Sequence, residues 1–526
     1  MTFVYPEYEA LGIEYVSAAL RRAGHETQLV FDPRLFRDSA ISIAPLGRLF
    51  SRRDEVLERI AASRPDLVAF SVLTHNWSWF LDLAGAIRER LGVPILAGGS
   101  HPTLAPERVM AEAVVDFACV GEGEDAAVEL ARALERGTDT TRIPNIWARD
   151  ARGQVVANAP RALEQDLDAI PFPDKTLFRG SPMAPDDLYL AIASRGCAYR
   201  CTFCIENRLQ SLYQHGGRYL RTRSVDNLLA ELGAAHAAIP YRAVWFCDEI
   251  FTWNLEWLRE FAPRYRDQIG VPFLALVHPN FVNDEIAGLL ALAGCAKVDM
   301  GVQTLTQELR RGVLRRHESN ARIADAIRAL RAAGVWVDVD NIINLPGETN
   351  DDLVRMAEFY NEHRPDTAKF YWLQIYPGTE MVDKAVALGA MTRDAVEHVP
   401  ERAELGSYYR GDPSSPREKR QLYLFLMLLL FLPRAFNRWV LAHRAYRWLP
   451  TLGLTITFPH VVLSLCHQAI ERFRFATGLD RRPWPAVRSM PRRYTRLYRT
   501  EIRRWLGERF RTDSPASAPL VVQPSA

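Results

Sequence analysis

Short β-branched or apolar runs alternate with amphipathic stretches through the first 145 residues, an order that builds a parallel sheet covered by helices. Thr2–Tyr5, Glu26–Phe31, Asp66–Val72, Val93–Gly98 and Phe117–Val120 read as strands. Between them, Leu11–Ala23 and Trp79–Leu91 carry apolar residues at helical spacing and read as helices. The pattern predicts a doubly wound α/β domain of the flavodoxin-like (Rossmann-like) type over residues 1–145. Residues 146–187 change character, with Pro160, Pro171, Pro173, Pro182 and Pro185 and few long apolar runs. We read them as a linker with one hairpin at the turn-like Asp150–Gly153.

A second α/β series occupies residues 188–400. Its strands are expected at Leu188–Ser194, Ala243–Cys247, Phe273–Val277, Lys297–Val302, Val335–Ile343 and Lys369–Ile375. Six strands separated by helix-bearing connections predict a full or partial (β/α) barrel. Beyond residue 400 the strands stop. Residues 401–512 read as helices with an Arg-rich end, and 513–526 as a loose tail.

A chain of 526 residues exceeds one compact core, so two or three domains are expected. Its 48% hydrophobic and 24% charged residues exclude a disordered or collagen-like chain. The formal net charge of +2 conceals an asymmetry: residues 413–526 hold 20 Lys and Arg against 6 Asp and Glu. Seven cysteines is an odd number, and Cys197, Cys201 and Cys204 crowd into eight residues, which suits a metal or redox site better than a disulfide framework. Met1 leads almost at once into Phe3-Val4-Tyr5, without a secretory signal between them, and the expected compartment is a reducing cytoplasm.

Arg195-Gly196-Cys197-Ala198-Tyr199-Arg200-Cys201-Thr202-Phe203-Cys204 gives C-x3-C-x2-C just after the first barrel strand, where βα barrels build their active sites. A structural zinc site needs four ligands and normally a second cysteine pair, and the sequence has no second cluster. Three thiolates on a tight loop instead hold three irons of a [4Fe-4S] cube and leave the fourth open.

These ten residues resemble the signature of radical S-adenosylmethionine (SAM) enzymes, including the aromatic Phe203 before the last cysteine. The resemblance implies that the open iron chelates SAM and that the reduced cluster releases a 5′-deoxyadenosyl radical. Further segments are similar to the family in order and position. Asp248-Glu249 end the second strand, where an acidic residue would accept from the SAM amino group. Gly301-Val302-Gln303-Thr304 closes the fourth near the SAM ribose, Asn344-Leu345-Pro346-Gly347-Glu348-Thr349 follows the fifth, and Tyr376-Pro377-Gly378-Thr379 the sixth. Phe203, Asp248, Glu249, Gln303 and Asn344 are the candidate cofactor contacts in this half of the chain, the last four of them to SAM.

In the first 145 residues, each strand ends on a small or Gly-rich turn: Ser71, then Gly98-Gly99-Ser100-His101, then Gly121-Glu122-Gly123-Glu124. Ligands of such sheets sit at those carboxyl ends, where glycines let a large flat molecule approach the backbone. The arrangement resembles the cobalamin-binding domain fused in front of many radical SAM enzymes. Cobalamin contacts are therefore expected among Ser71, Thr74, Gly98, Gly99, His101, Gly121, Glu122 and Gly123. One departure stands out: many cobalamin proteins carry Asp-x-His-x-x-Gly, and none of the 12 histidines here has Asp two residues before it. His25, His75 and His101 accordingly read as surface or loop histidines, and the loop Ser71–Trp79 is the candidate to face cobalt.

Near the carboxyl end, Leu422–Leu432 is unbroken and apolar, and Trp448–Ile470 lacks Asp, Glu, Lys and Arg. The first is too short to span a bilayer, and Pro450, Gly453 and Pro459 interrupt the second. Nine arginines in Arg488–Arg511, interleaved with Tyr494, Tyr498, Trp505 and Phe510, leave two readings: peripheral contact with an anionic membrane, or helices packed over the barrel with a solvated basic face. No nucleic-acid recognition module is present in the sequence.

Together these features predict a cobalamin-dependent radical SAM enzyme that methylates an unactivated carbon of a small molecule, apolar or acidic in keeping with the carboxyl-terminal region. A flavodoxin- or ferredoxin-type reductant is implied. Oxidation or cyclisation with the same cofactors is the alternative, and a non-catalytic cobalamin or Fe-S sensor is a third reading that gives the SAM-facing strand ends no purpose.

Overall fold

The structure is a computed structural model that describes residues 1–38, 43–183, 187–399, 415–450 and 489–509. Its first sheet contains β1 (Thr2–Tyr5), β2 (Gln28–Phe31), β3 (Val68–Ser71), β4 (Ile95–Gly98), β5 (Phe117–Cys119), β6 (Ile146–Arg149) and β7 (Val155–Val156). The order is β2-β1-β3-β4-β5-β6-β7, with β1 to β5 parallel. The two cores flanking this sheet take alternate residues of the same strands: Val68, Phe70 and Val72 face one layer of helices, Leu67 and Ala69 the other.

The hairpin anticipated at Asp150–Gly153 forms, with Asp150 Oδ1 accepting from the backbone of Arg152 and Gln154 at 2.8 Å each. It is part of the first sheet, however, because β6 pairs antiparallel with β5. The remainder of the expected linker is packed down. Asp174 takes Ser17 Oγ at 2.7 Å and Arg21 at 3.0 Å, and Lys175 donates to Glu9 (2.6 Å), Glu14 (2.8 Å) and the Leu190 carbonyl (2.8 Å). One buried ammonium thus ties the first sheet's loop and helix to the second sheet.

The second sheet is all parallel, in the order β15-β14-β13-β12-β11-β8. Its strands are β8 (Leu188–Ala191), β11 (Ala243–Phe246), β12 (Phe273–Val277), β13 (Cys295–Gln303), β14 (Trp336–Ile343) and β15 (Thr367–Trp372). β9 (Ser194–Arg195) and β10 (Arg221–Thr222) form a separate antiparallel ribbon beside it. Six parallel strands in sequence order make the partial (β/α) barrel. Its helices begin on side-chain caps: Ser224, Asn254, Asn283, Ser319 and Thr349 each accept from the backbone N–H three residues on. Val298, Met300 and Val302 of β13 and Val337 and Val339 of β14 join the core under those helices.

The carboxyl-terminal region is helical as expected. The Arg417–Leu429 helix buries Leu422, Tyr423, Phe425, Leu426 and Leu429 in the barrel's own core, with the Tyr423 ring 5.6 Å from Trp372 of β15. Arg364 donates to the carbonyls of Leu429, Leu430 and Leu432, the orphan acceptors at that helix's end. The apolar run is therefore core, not a membrane face. The Ser489–Arg509 helix lies on the first unit: Tyr498 accepts from the Phe36 N–H at 3.0 Å, Trp505 packs on Phe50 and Arg504 pairs with Glu55 at 3.1 Å. Tyr498 and Trp505 thus face protein. No described helix is long and apolar enough to cross a membrane. Residues 451–488, Phe510, Arg511 and the tail expected after Thr512 lie outside the described residues.

Leu426→Ala should destabilise the protein by about 2–5 kcal/mol through the cavity left against β15, read as a lower denaturant midpoint in equilibrium unfolding.

Candidate active site between two sheet edges

The cysteine loop leaves the β9–β10 ribbon at Gly196, whose φ of +93° and whose position 2.6 Å (as a Cβ) from the Tyr219 carbonyl admit only glycine. Four hydrogen bonds then fix its course. Gln210 donates to the carbonyls of Cys197 (2.9 Å) and Tyr199 (2.6 Å), Thr202 donates through Oγ1 to Val313 (2.6 Å), and Met381 N–H donates to the Thr202 carbonyl (2.9 Å). Phe203 packs beside Leu314 and Met381 and so anchors the loop. The Tyr199 ring stacks on His278 at 4.2 Å.

Cys201 is buried, and Cys197 and Cys204 are half-buried. Burial pushes all three thiols up, Cys197 to about 12. At Cys201 the rise is opposed by the guanidinium of Arg316, which hydrogen-bonds the sulfur. Arg316 is itself held by Glu318 at 2.8 Å and donates to the Gly301 carbonyl at 2.6 Å. Burial raises Glu318, and the His278 hydrogen bond and Arg316 more than reverse this, to about 2. Among the described residues no three His, Cys, Asp or Glu side chains converge on one ion-sized point. A four-iron cube is larger than an ion and takes its thiolates at separate corners, so three thiols spread along one strapped loop fit it, and the metal supplies the charge that makes buried thiolates stable.

The acidic pair at the end of β11 divides in two. Asp248 is fully engaged, accepting from Ser194 N–H (2.5 Å), Ser194 Oγ (2.6 Å) and Ala193 N–H (3.1 Å). Through these bonds it orders the turn that precedes the cysteines. Glu249 is exposed and accepts no hydrogen bond from any described residue; desolvation by the surrounding protein, then Glu206 and Asp248, raises it to about 8.

Gln303 and Asn344 end adjacent strands with φ of +67° and +64°, a left-handed conformation that turns each side chain out of the strand's alternation. Gln303 folds back over Gly301, where a Cβ would lie 2.8 Å from Nε2. Asn344 N–H donates to Glu348 at 2.6 Å, and Lys419 of the carboxyl-terminal helix reaches both Asn344 Oδ1 (3.3 Å) and Glu348 (3.5 Å).

Across from this rim lies the carboxyl edge of the first sheet. Ser71 pairs in register with Gly98, and these two with the exposed Gly99 leave a floor free of bulky side chains at β3 and β4, which fits a large flat ligand. Gly99 is fixed by φ of +99°, with a Cβ only 2.9 Å from the Val72 carbonyl. Thr74 and His101 lie beneath: both are buried, Thr74 Oγ1 is 3.2 Å from His101 Nδ1, and the His101 ring packs on Trp77 at 4.6 Å. His101 is therefore a buried histidine on the helix after β4, not a surface or loop one. His75 pairs with Glu7 at 2.6 Å.

Gly121, Glu122 and Gly123 make a contact between the two units. A Cβ on Gly121 would fall 1.9 Å from the Tyr213 hydroxyl, and that hydroxyl accepts from the Glu122 N–H at 2.8 Å. Glu122 pairs with Arg221, and Arg195 pairs with Glu124 at 2.6 Å and Glu122 at 3.5 Å while lying over the Tyr15 ring. This turn docks the first sheet on the ribbon that carries the cysteines. A second close approach is at Gly378, where a Cβ would stand 2.4 Å from the Leu104 carbonyl. Arg195, Arg221, Tyr213, Arg316 and Lys419 were not singled out in the sequence, where basic residues in polar runs look like a solvated face.

The chain's residues 2–131 match the family model of the B12 binding domain, and residues 192–360 match that of the radical SAM superfamily. The chain belongs to the cobalamin-binding radical SAM family. Its cofactors are cobalamin, SAM and a [4Fe-4S] cluster, and it is an enzyme of that class. An uncharacterised methyltransferase of Pyrococcus horikoshii is 25% identical over 384 residues, 72% of this chain and 78% of that protein. The anaerobic magnesium-protoporphyrin IX monomethyl ester cyclase of Cereibacter sphaeroides is 21% identical over 408 residues, 72% of this chain and 63% of its own length. Among solved structures, the cobalamin-dependent SAM radical enzyme OxsB, with aqua-cobalamin and SAM bound, shares the fold with a TM-score of 0.62 at 15% identity, over 96% of this chain and 83% of that one.

Two predictions follow from these contacts. Glu124→Gln removes a partly buried partner of Arg195 and should cost about 2–4 kcal/mol in unfolding, most of it recovered when Arg195→Met is added. Burial, aided by Arg108, lowers His101 from 6.5 to about 4, so the unfolded chain binds the extra proton between those values. Apo-protein stability should fall by up to about 3 kcal/mol as pH drops from 6.5 to 4, and His101→Gln should flatten the denaturant-midpoint profile over that window.

Proposed function

We propose that this protein methylates an unactivated carbon of a small molecule held between the two sheet edges. The observation that carries the reading is the opposition of those edges: the floor at Ser71, Gly98 and Gly99 and the loop at Cys197, Cys201 and Cys204 are joined through Arg195–Glu124 on one side and Gly378–Leu104 on the other. When bound, the reduced cluster with SAM supplies a radical able to remove hydrogen from a carbon without acidity, and cobalamin supplies a transferable methyl group. Such a carbon cannot be methylated by polar displacement, which is why both cofactors belong in one chamber.

The protein's residues divide the work. Cys197, Cys201 and Cys204 hold the cluster, with Arg316 placing positive charge beside Cys201. Glu249, the exposed carboxylate at the end of β11, accepts from the SAM ammonium, and Gln303 and Asn344 turn polar groups toward the same ligand from the strained ends of β13 and β14. Asp248 and Gln210 keep the cysteine loop in place. Ser71, Gly98 and Gly99 leave room for the corrin face.

Electrons at low potential come from a flavodoxin- or ferredoxin-type partner. Membrane contact has no part in this reading, since Leu422–Leu429 and the Tyr498 and Trp505 rings are packed on protein. A second reading, oxidation or cyclisation with the same cofactors, draws on the cyclase among the relatives.

Anaerobic protein reconstituted with iron, sulfide and cobalamin, given dithionite and SAM carrying a deuterated methyl group, should form 5′-deoxyadenosine, S-adenosylhomocysteine and a deuteromethylated product by mass spectrometry. Cys201→Ala should lose all three. Deoxyadenosine with a dehydrogenated product and no S-adenosylhomocysteine would favour the second reading, and no nucleoside product from cluster-loaded protein would reject both.

A further inference from the structure

The inward positions of β13, β14 and β15, below the Gln303 and Asn344 rim, are charged where a closed barrel would be filled by branched apolar side chains. They are Lys297, Asp299, Asp338, Asp340 and Lys369. Lys369 Nζ lies 2.8 Å from Asp299, 3.1 Å from Asp338 and 3.8 Å from Asp340 Oδ1. Lys297 pairs with Asp338, which also accepts from Trp336 Nε1 at 2.8 Å. Asp338 is thereby saturated, and both ammonium groups are claimed by carboxylates.

Two lysines face three aspartates, and Asp340 is the carboxylate left over. Neither of its oxygens accepts a hydrogen bond from a described residue; Oδ1 is enclosed, and 26% of the side chain remains open to the lumen. Burial, moderated by Lys369 and reinforced by Asp299 and Asp338, raises it to about 7. On the facing wall, Trp245 Nε1 of β11 is an enclosed donor without an acceptor. Leu274 and Leu276 of β12 and Ile342 of β14 supply the apolar part of the lining.

We propose that this lumen is the substrate site and that Asp340 receives the protonated amine of a small polar substrate. A carboxylate in such a space that shares one lysine at 3.8 Å and accepts no hydrogen bond is expensive, and a ligand ammonium relieves it while completing the charge balance. An acidic substrate would meet lysines already paired and an added repulsion, and a neutral lipid would leave Asp340 bare. Of the features behind the apolar or acidic substrate expected from the carboxyl-terminal composition, the run from Leu422 is spent on the barrel core. The assignment rests on the radical SAM reading of the same chamber.

The test uses full-length protein loaded with cluster and cobalamin, given dithionite and methyl-deuterated SAM. Small molecules from the cells that make the protein are separated at acidic pH into cation-retained, anion-retained and unretained pools, and each is added in turn. Release of 5′-deoxyadenosine above the substrate-free rate is expected from the cation-retained pool alone, and acetylating its amines should abolish the effect. Asp340→Asn should cut the stimulation at least about tenfold, and Asp340→Glu, which keeps the charge, should restore much of it. Stimulation by another pool, by acetylated material, or by no pool overturns the proposal. Stimulation without deuteromethyl transfer overturns methylation and leaves the amine assignment standing, whereas no 5′-deoxyadenosine under any condition sinks the radical reading and this inference with it.

Discussion

Everything about this chamber depends on two parallel sheets meeting by their carboxyl edges, and charge holds them there. Lys175 joins the loop and first helix of one sheet to β8 of the other, and Arg195 joins the Glu122–Glu124 turn to the ribbon that launches the cysteine loop. Such partly buried pairs repay their desolvation only when the geometry is good, so they specify one relative placement of the sheets more than they add stability. Arg195 is two residues from Cys197. The placement of the first sheet and the start of the iron-binding loop are consequently set by the same side chain.

Parallel strands deliver side chains to their carboxyl ends, but in strict alternation, and the site breaks that alternation where polar groups are needed. Gln303 and Asn344 do so by left-handed backbone, and Gly301, Gly196 and Gly378 by having no side chain to obstruct a neighbour. Each is a local expense met by packing elsewhere: the Arg316–Glu318–His278 group behind β13, and Lys419 over the Asn344 turn. The carboxyl-terminal helix thus belongs to the site as well as to the core.

Much of this was legible in the sequence. Six barrel strands appeared in order within a few residues of their final limits, because β-branched runs between helix-period segments leave few alternatives. The cysteine spacing carried the chemistry without help from context. What could not be read was direction. Gly121-Glu122-Gly123-Glu124 has the composition of a ligand turn, and only tertiary structure reveals that it also docks on Tyr213, Arg195 and Arg221. Asp248 and Glu249 are neighbours of one type, yet one is consumed by backbone donors and the other is free. Leu422–Leu432 would read the same against a membrane or a core. The alternating charges of β13 and β14 were visible but were taken only as strand, although a doubly covered parallel strand has no use for them.

The Ser489–Arg509 helix closes the molecule on itself, with Tyr498 hydrogen-bonded to a backbone group 462 residues earlier in the chain. During synthesis, the loop that includes Phe36 and Phe50 must therefore wait for nearly the whole polypeptide before it finds its packing partners. Contacts of such long sequence separation are among the slowest to form. The first sheet is made early and finished last, so its ligand-binding edge acquires its final support only after the iron-binding loop has left the ribosome.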